Sequence, residues 1–287
     1  MANLKEIRNR IATVSSTMQI TSAMKMVSAA KLKKAQDAIT QMRPYANKLT
    51  ELLQGLSANL DGDVGGKYAD QRPVNKVLVV AITSNRGLCG AFNSNIIKQS
   101  TSLLQGTYGG KQVHFMAIGK KGNDILGKKF TVVANHSEVY DTLTFESVSE
   151  IAQELMGHFT KGTYDKIELV YNKFKNAATQ IVMTEQFLPI VPASGDNAAS
   201  ATDYVFEPSK VEIVEQLIPK SLKTQLFKAV RDSFASEHGA RMTAMHKATD
   251  NATELRDQLK LTYNKARQAA ITNEILEIVG GAEALSS

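Results

Sequence analysis

LKEIRNRIATVSSTMQITSAMKMVSAAKLKKAQDAITQMRPYANKLTELLQGL, Leu4 to Leu56, contains one proline, Pro44, and no glycine before Gly55. A stretch this free of breakers predicts a single long helix, which Pro44 either bends or ends. Apolar or small residues recur at Leu4, Ile7, Ile11, Val14, Met18 and Thr21 in alternating steps of three and four, then continue through Met24, Val27, Ser28, Leu32 and Ala35. At 1.5 Å per residue, about 50 residues make a rod of about 75 Å, where an ordinary globular helix has about 11 or 12 residues. The stripe is narrow and one-sided, so it needs a partner helix or a domain surface to cover it.

A second helical segment runs from Lys210 to Leu285, interrupted only by Pro219, expected at a helix start or break, and by Gly239, before Gly280 and Gly281. One register spaces Met245, Ala252, Leu259 and Ala266 seven apart, with Ala248, Leu255, Thr262 and Ala269 between them, a coiled-coil seam of small residues. The two ends of the chain therefore either pair as an antiparallel coiled coil projecting from the middle of the protein, or fold back on it as cover. Three segments follow from this reading: an N-terminal helix at 1–60, a central domain at 74–192, and a C-terminal helix at 210–287 that pairs with the first.

The middle has a different grammar. Strands are predicted at 74–83, 112–118, 130–134, 166–174 and 180–190, and helices at 91–104, 121–126 and 145–159. Strands alternating with helices indicate an α/β domain with a largely parallel sheet. Only Lys175 to Thr179 separate the last two strands, which predicts an antiparallel hairpin at one edge. Residues 61–73 read as a polar linker and the run after Pro192 as a loop.

The chain has 287 residues, 43% of them hydrophobic and 22% charged, the composition of a folding protein. No apolar run approaches the roughly 18 residues that cross a bilayer. The start has no apolar signal core, so a cytosolic face is expected. A single cysteine, Cys89, excludes an internal disulfide or a thiolate cluster. The net charge of +6 is concentrated in residues 1–54, where nine basic and three acidic side chains account for the whole excess. A basic helix of this kind has either an acidic partner or a solvated face. Nucleic-acid binding lacks support, because aromatics are not interleaved before Tyr45.

Candidate chemistry is sparse. The turn Ser84–Gly90 joins a strand to a helix where dinucleotide folds hold phosphate, but no G-x-G-x-x-G or G-x-x-x-x-G-K-[ST] pattern is present. Cys89 has no nearby histidine to act as base, and the five histidines, His114, His136, His158, His238 and His246, are scattered without a metal-binding pattern. Catalytic residues, cofactor and metal are all expected to be absent.

Three stretches resemble the gamma subunits of F-type ATP synthases: KEIRNRIATVSSTMQITSAMKMVSAAKL near the start, NRGLCGAFN at 85–93, and ASEHGARMTAMHKATDNATELRDQLKLTYNKARQAAITNEILEIVGGAEAL at 235–285. The resemblance implies that the terminal helices form an antiparallel shaft beside a Rossmann-like domain without a nucleotide. It implies a rotor turned by proton or sodium flow through a membrane ring, with the shaft inside three alpha and three beta subunits. By motif, Met24 and Lys25 with Arg267, Gln268, Thr272 and Glu277 would face that hexamer, and Arg86 and Cys89 would lie near its lower rim. Lys31, Lys33 and Lys34 would suit acidic levers on the beta subunits. Arg43, Tyr45, Tyr204 and Glu207 would form the foot on the epsilon subunit and the membrane c-ring. The chloroplast type carries a regulatory cysteine pair that this chain lacks, which with the absent transit peptide implies a bacterial source and a peripheral place on the cytoplasmic face of the plasma membrane. A nucleotide-dependent enzyme with helical arms and a free-standing coiled-coil adaptor are the alternatives.

Overall fold

The computed structural model describes residues 4–58, 66–190 and 210–286. In chain order they form α1 (Leu4–Ala58), β1 (Lys76–Ile82), α2 (Phe92–Gln105), β2 (Gln112–Ile118), α3 (Lys120–Leu126), β3 (Val132–Asn135), α4 (Phe145–Thr160), β4 (Lys166–Phe174), β5 (Gln180–Leu188) and α5 (Lys210–Ser286). Two compact units divide the chain: residues 29–241, and residues 1–28 with 242–287.

The larger unit is built on a five-stranded sheet in the order β3-β2-β1-β4-β5. All neighbours are parallel except β4 and β5, the antiparallel hairpin that its short connection predicts. β1 sits in the centre, and Val77 through Ile82 are inaccessible to solvent on both faces, which explains why the strand reads as an unbroken apolar run. Leu78, Val80 and Ile82 face α4 and the start of α5, packing with Ile151, Leu155, Leu222 and Leu226. Val77, Val79 and Ala81 face the other way, against Ile96, Leu103 and Leu126 of α2 and α3. Each such buried Val, Leu or Ile contributes about 1.5–3 kcal/mol. The chain steps outward from β1 to β3 with α2 and α3 on one face. It then returns to place β4 on the other side of β1, which puts α4 on the opposite face, as right-handed crossovers require.

Pro44 and Pro219 lie inside helices, Pro44 within α1 and Pro219 nine residues after the start of α5. Pro219 thus neither starts nor breaks a helix, contrary to the sequence expectation. Its neighbours Ile218 and Leu222 are buried in the core against the sheet, and that packing offsets the hydrogen bond lost at one residue. Gly239 has a tertiary cause. The Ala177 backbone of the β4–β5 turn lies so close that a Cβ on residue 239 would meet it at 3.2 Å.

In the smaller unit, the first part of α1 and the last part of α5 run antiparallel. Arg8 bonds Tyr263, Met18 receives Thr253, Thr21 meets Thr249, and Lys25 meets His246, so paired residue numbers always total 270 or 271. The α1 stripe follows the predicted spacing except at Val27, which is exposed. On α5 the predicted seam is half right. Met245 and Ala252 are buried, but Leu255 is 47% exposed, and the alternate positions are Thr249, Arg256 and Tyr263, one residue later than expected. Polar side chains occupy the true seam because each finds a partner across it, and hydrophobic periodicity does not register them.

Candidate functional site

The turn Ser84–Gly90 leaves the carboxyl end of β1, between the β1–β2 side of the sheet and the β4–β5 side. This is the switch point at which open α/β sheets bind ligands. Here the chain's own side chains bridge the elements around it. Asn93, in the first turn of α2, accepts from the Ser84 backbone N–H at 3.0 Å and donates to the Ser84 hydroxyl at 2.8 Å. Asn172 of β4 donates to the Phe92 carbonyl at 3.3 Å, and Ser236 of α5 donates to the Asn172 carbonyl at 3.0 Å. These bonds tie the end of β1 to α2, and α2 through β4 to α5.

The same turn is gripped from α5. The Arg241 guanidinium donates to the Arg86 carbonyl at 3.1 Å and to the Gly87 carbonyl at 3.3 Å, and its Nη1 meets the Glu237 carboxylate at 2.7 Å. Burial raises the Glu237 pKa, against the pull of Arg241. Burial also pushes the His238 imidazole down to about 4, with Arg241 and then Lys31 adding to the effect. The neutral ring lies edge-on to Phe234, its Nδ1 3.4 Å from Arg241. Leu88 sits at φ 62°, a left-handed backbone costing a leucine about 1–2 kcal/mol, and projects into solvent. Nothing in the sequence pattern pointed to Glu237 or Arg241 except their spacing of four on a helix.

Of the residues singled out from the sequence, Arg86 is exposed, whereas Cys89 is 1% exposed. The Cys89 sulfur points inward, 3.3 Å from the Asn93 amide, and burial raises its pKa. The exposed side chains of the turn are Arg86 and Leu88. Met24 and Lys25 are half-buried, with Lys25 Nζ 3.4 Å from His246 Nδ1. Arg267, Gln268, Thr272 and Glu277 are all exposed. The antiparallel register sets Met24 some 20 residues along the helix pair from Arg267, about 30 Å at 1.5 Å per residue, so these two groups are not one cluster. Tyr45 is 51% exposed with Lys220 Nζ 5.9 Å from its ring centroid. Arg43 lies on α1, and Tyr204 and Glu207 lie outside the described residues.

The register also decides where α5 stands alone. Leu4, the first described residue of α1, falls opposite about Arg267, so α5 extends beyond it from about Ile271 to Ser286. Ile271, Ile275, Ile278 and Val279 recur at i, i+4, i+7 and i+8 and are 47–72% exposed, a solvent-facing apolar stripe. Among the described residues, no group of three or more His, Cys, Asp or Glu is placed to hold a metal, and no helix is long and apolar enough to cross a membrane.

A family model described as ATP synthase matches residues 3–285. The chain is 74% identical over 285 residues to the ATP synthase gamma chain of Flavobacterium psychrophilum, covering 99% of both chains. It is 25% identical to a chain in the central stalk and c-ring structure of Tetrahymena thermophila mitochondrial ATP synthase, with a TM-score of 0.61 over 80% of this chain and 99% of that one. A chain of the Euglena gracilis mitochondrial ATP synthase shares the fold at a TM-score of 0.69 and 24% identity, over 98% of this chain and 94% of that one.

Proposed function

This chain belongs to the ATP synthase gamma-chain family, and from that premise we propose that it is the rotating central-stalk subunit that couples ion flow through a membrane ring to ATP synthesis. The observation that carries the reading is the single free end of α5, whose apolar stripe is left in solvent by the rest of the described chain. Burying that stripe requires a surrounding partner. The partner that suits it is a sleeve of three alpha and three beta subunits, with Arg267, Gln268, Thr272 and Glu277 on the enclosed end and Met24 and Lys25 further down the helix pair.

A helix that touches three similar beta subunits cannot touch them alike. Turning it changes which subunit receives which face, and a partner shifts a conformational equilibrium only by its differential interaction with the states. The chain itself performs no chemistry on ATP in this reading. The turn bearing Arg86 and Leu88 faces the lower rim of the hexamer. Arg43, Tyr45, Tyr204 and Glu207 belong to the foot that meets the epsilon subunit and the c-ring. The complex sits on the cytoplasmic face of the bacterial plasma membrane, with this subunit peripheral to it.

The test is direct observation of the complex. With the alpha-beta ring fixed to a surface and a bead attached to this chain, ATP should drive the bead round in one direction. A bead that stays still while ATP is hydrolysed refutes the rotor role.

A further inference from the structure

The Ser84–Gly90 turn is held from two sides by independent groups. From the sheet side, Ser84 and Asn93 bond its first residues, and the Ser84 hydroxyl donates to the Arg86 carbonyl at 2.7 Å. These contacts define the local fold of the turn. From the other side comes Arg241, 7% exposed, which places Nε and Nη2 on the carbonyls of Arg86 and Gly87 and Nη1 on Glu237, itself 7% exposed. The arrangement uses the planar fork of a guanidinium, since three donors in fixed relation reach three acceptors; an ammonium is a point charge and cannot span them. Glu237 lies one helical turn before Arg241 and neutralises it, which is what allows a cation to be buried at that place. Beyond the clamp, Arg86 and Leu88 are the exposed side chains of the turn, and Leu88 is in a left-handed conformation that persists only where its surroundings over-determine it.

We propose that the Glu237–Arg241 pair is a latch that fixes the Ser84–Gly90 turn to α5, so that Arg86 and Leu88 move with the helix and are presented in one orientation. Arg241 is a positioning residue, acting through the turn. The consequence for coupling rests on the rotor reading above: torque carried by α5 reaches the outer surface of the turn without slack. Without the latch the turn keeps its sheet-side bonds but opens locally towards α5.

The chain contains its own reporter, because its one cysteine, Cys89, is buried inside this turn. In the purified full-length chain, Arg241→Gln should raise the rate at which an aromatic disulfide labels Cys89 by about tenfold or more, as expected when local opening becomes easier. Arg241→Lys should not restore protection, because it keeps the charge and loses the fork. A second reporter separates latch loss from general destabilisation: Ser100→Cys on α2, fully buried, in a Cys89→Ser background. Its labelling should stay within about twofold when Arg241→Gln is added. Unchanged labelling of Cys89, or equal acceleration at both reporters, overturns the latch. In the membrane complex, Arg241→Gln should pump fewer protons per ATP hydrolysed. Normal pumping with an opened Cys89 would show that the latch does not position the turn for coupling. Failure of the rotor reading appears elsewhere, as a motionless bead on the unsubstituted complex.

Discussion

Arg8 and Tyr263, 255 positions apart in sequence, join the two ends of the chain: the guanidinium Nη2 donates to the phenol oxygen at 2.8 Å, and its carbon stands 5.7 Å from the ring centroid. The pair belongs to a series continued by Met18–Thr253, Thr21–Thr249 and Lys25–His246, whose paired residue numbers likewise total 270 or 271. A constant total of this kind means one register along the antiparallel pair.

If the two helices turn as a rigid body, locking them should cost nothing in function. The hydroxyls of Thr21 and Thr249 are 2.8 Å apart, so cysteines there would bring two sulfurs within bonding reach after small rotations. Thr21→Cys with Thr249→Cys, in a Cys89→Ser background, should oxidise readily and leave ATP synthesis by the complex near normal. A non-reducing gel gives the extent of bridging. Synthesis that stops on oxidation and returns on reduction would show that the helices must slide.

The apolar stripe at the free end of α5 should matter only in the assembly. Replacing Ile271, Ile275 and Ile278 together by serine should change the stability of the isolated chain by no more than about 0.5 kcal/mol per site, because all three are already exposed. Recovery of the complex with the alpha and beta subunits should fall clearly. Urea titration and subunit co-purification measure the two effects. A large loss of stability in the isolated chain would mean that the stripe is covered by the chain itself.

Gly119 joins β2 to α3 at φ 114°, and a Cβ built there would lie 2.2 Å from the Thr83 carbonyl oxygen. The obstacle is backbone, which cannot swing aside. Gly119→Ala should therefore destabilise the chain by about 2 kcal/mol or more, from overlap and backbone strain together. Denaturation midpoints decide it, and a neutral result would contradict the packing at the end of β1.

His238 sets an acid limit. Its folded pKa is lowered to about 4 by burial, and by the charges of Arg241 and Lys31, while an unfolded histidine titrates near its ordinary value of 6.5. Between these values the unfolded chain takes up a proton that the folded chain refuses, so stability falls as pH drops from 6.5 towards 4. The loss is on the order of 3 kcal/mol for a shift of this size. Glu237 beside it opposes the trend, because its raised folded pKa favours proton uptake by the folded state. His238→Asn should flatten this part of the profile, as seen in urea midpoints at pH 7 and pH 5. An unchanged profile would mean that other groups dominate.

Much of the architecture could be read directly from residue order. The 53-residue stretch with Pro44 as its one proline and no glycine before Gly55 appears as the 55-residue helix α1, and the apolar run at Val77–Ile82 is the central strand buried on both faces. The edge hairpin followed from a connection too short for a parallel crossover. These features depend on local propensity and on burial patterns that repeat at fixed spacing. Three others were decided only by the tertiary structure. The true seam of α5 runs through Thr249, Arg256 and Tyr263 while Leu255 faces outward, and a polar residue with a partner more than 200 positions away looks, in sequence, like any solvated one. The Arg241 grip on the turn joins residues 154 and 155 positions apart through backbone carbonyls, which have no side-chain signature. The bare end of α5 exists because two helices of different length meet in one register. A pattern within either helix gives its face, but only the docking of one on the other determines where the pairing stops.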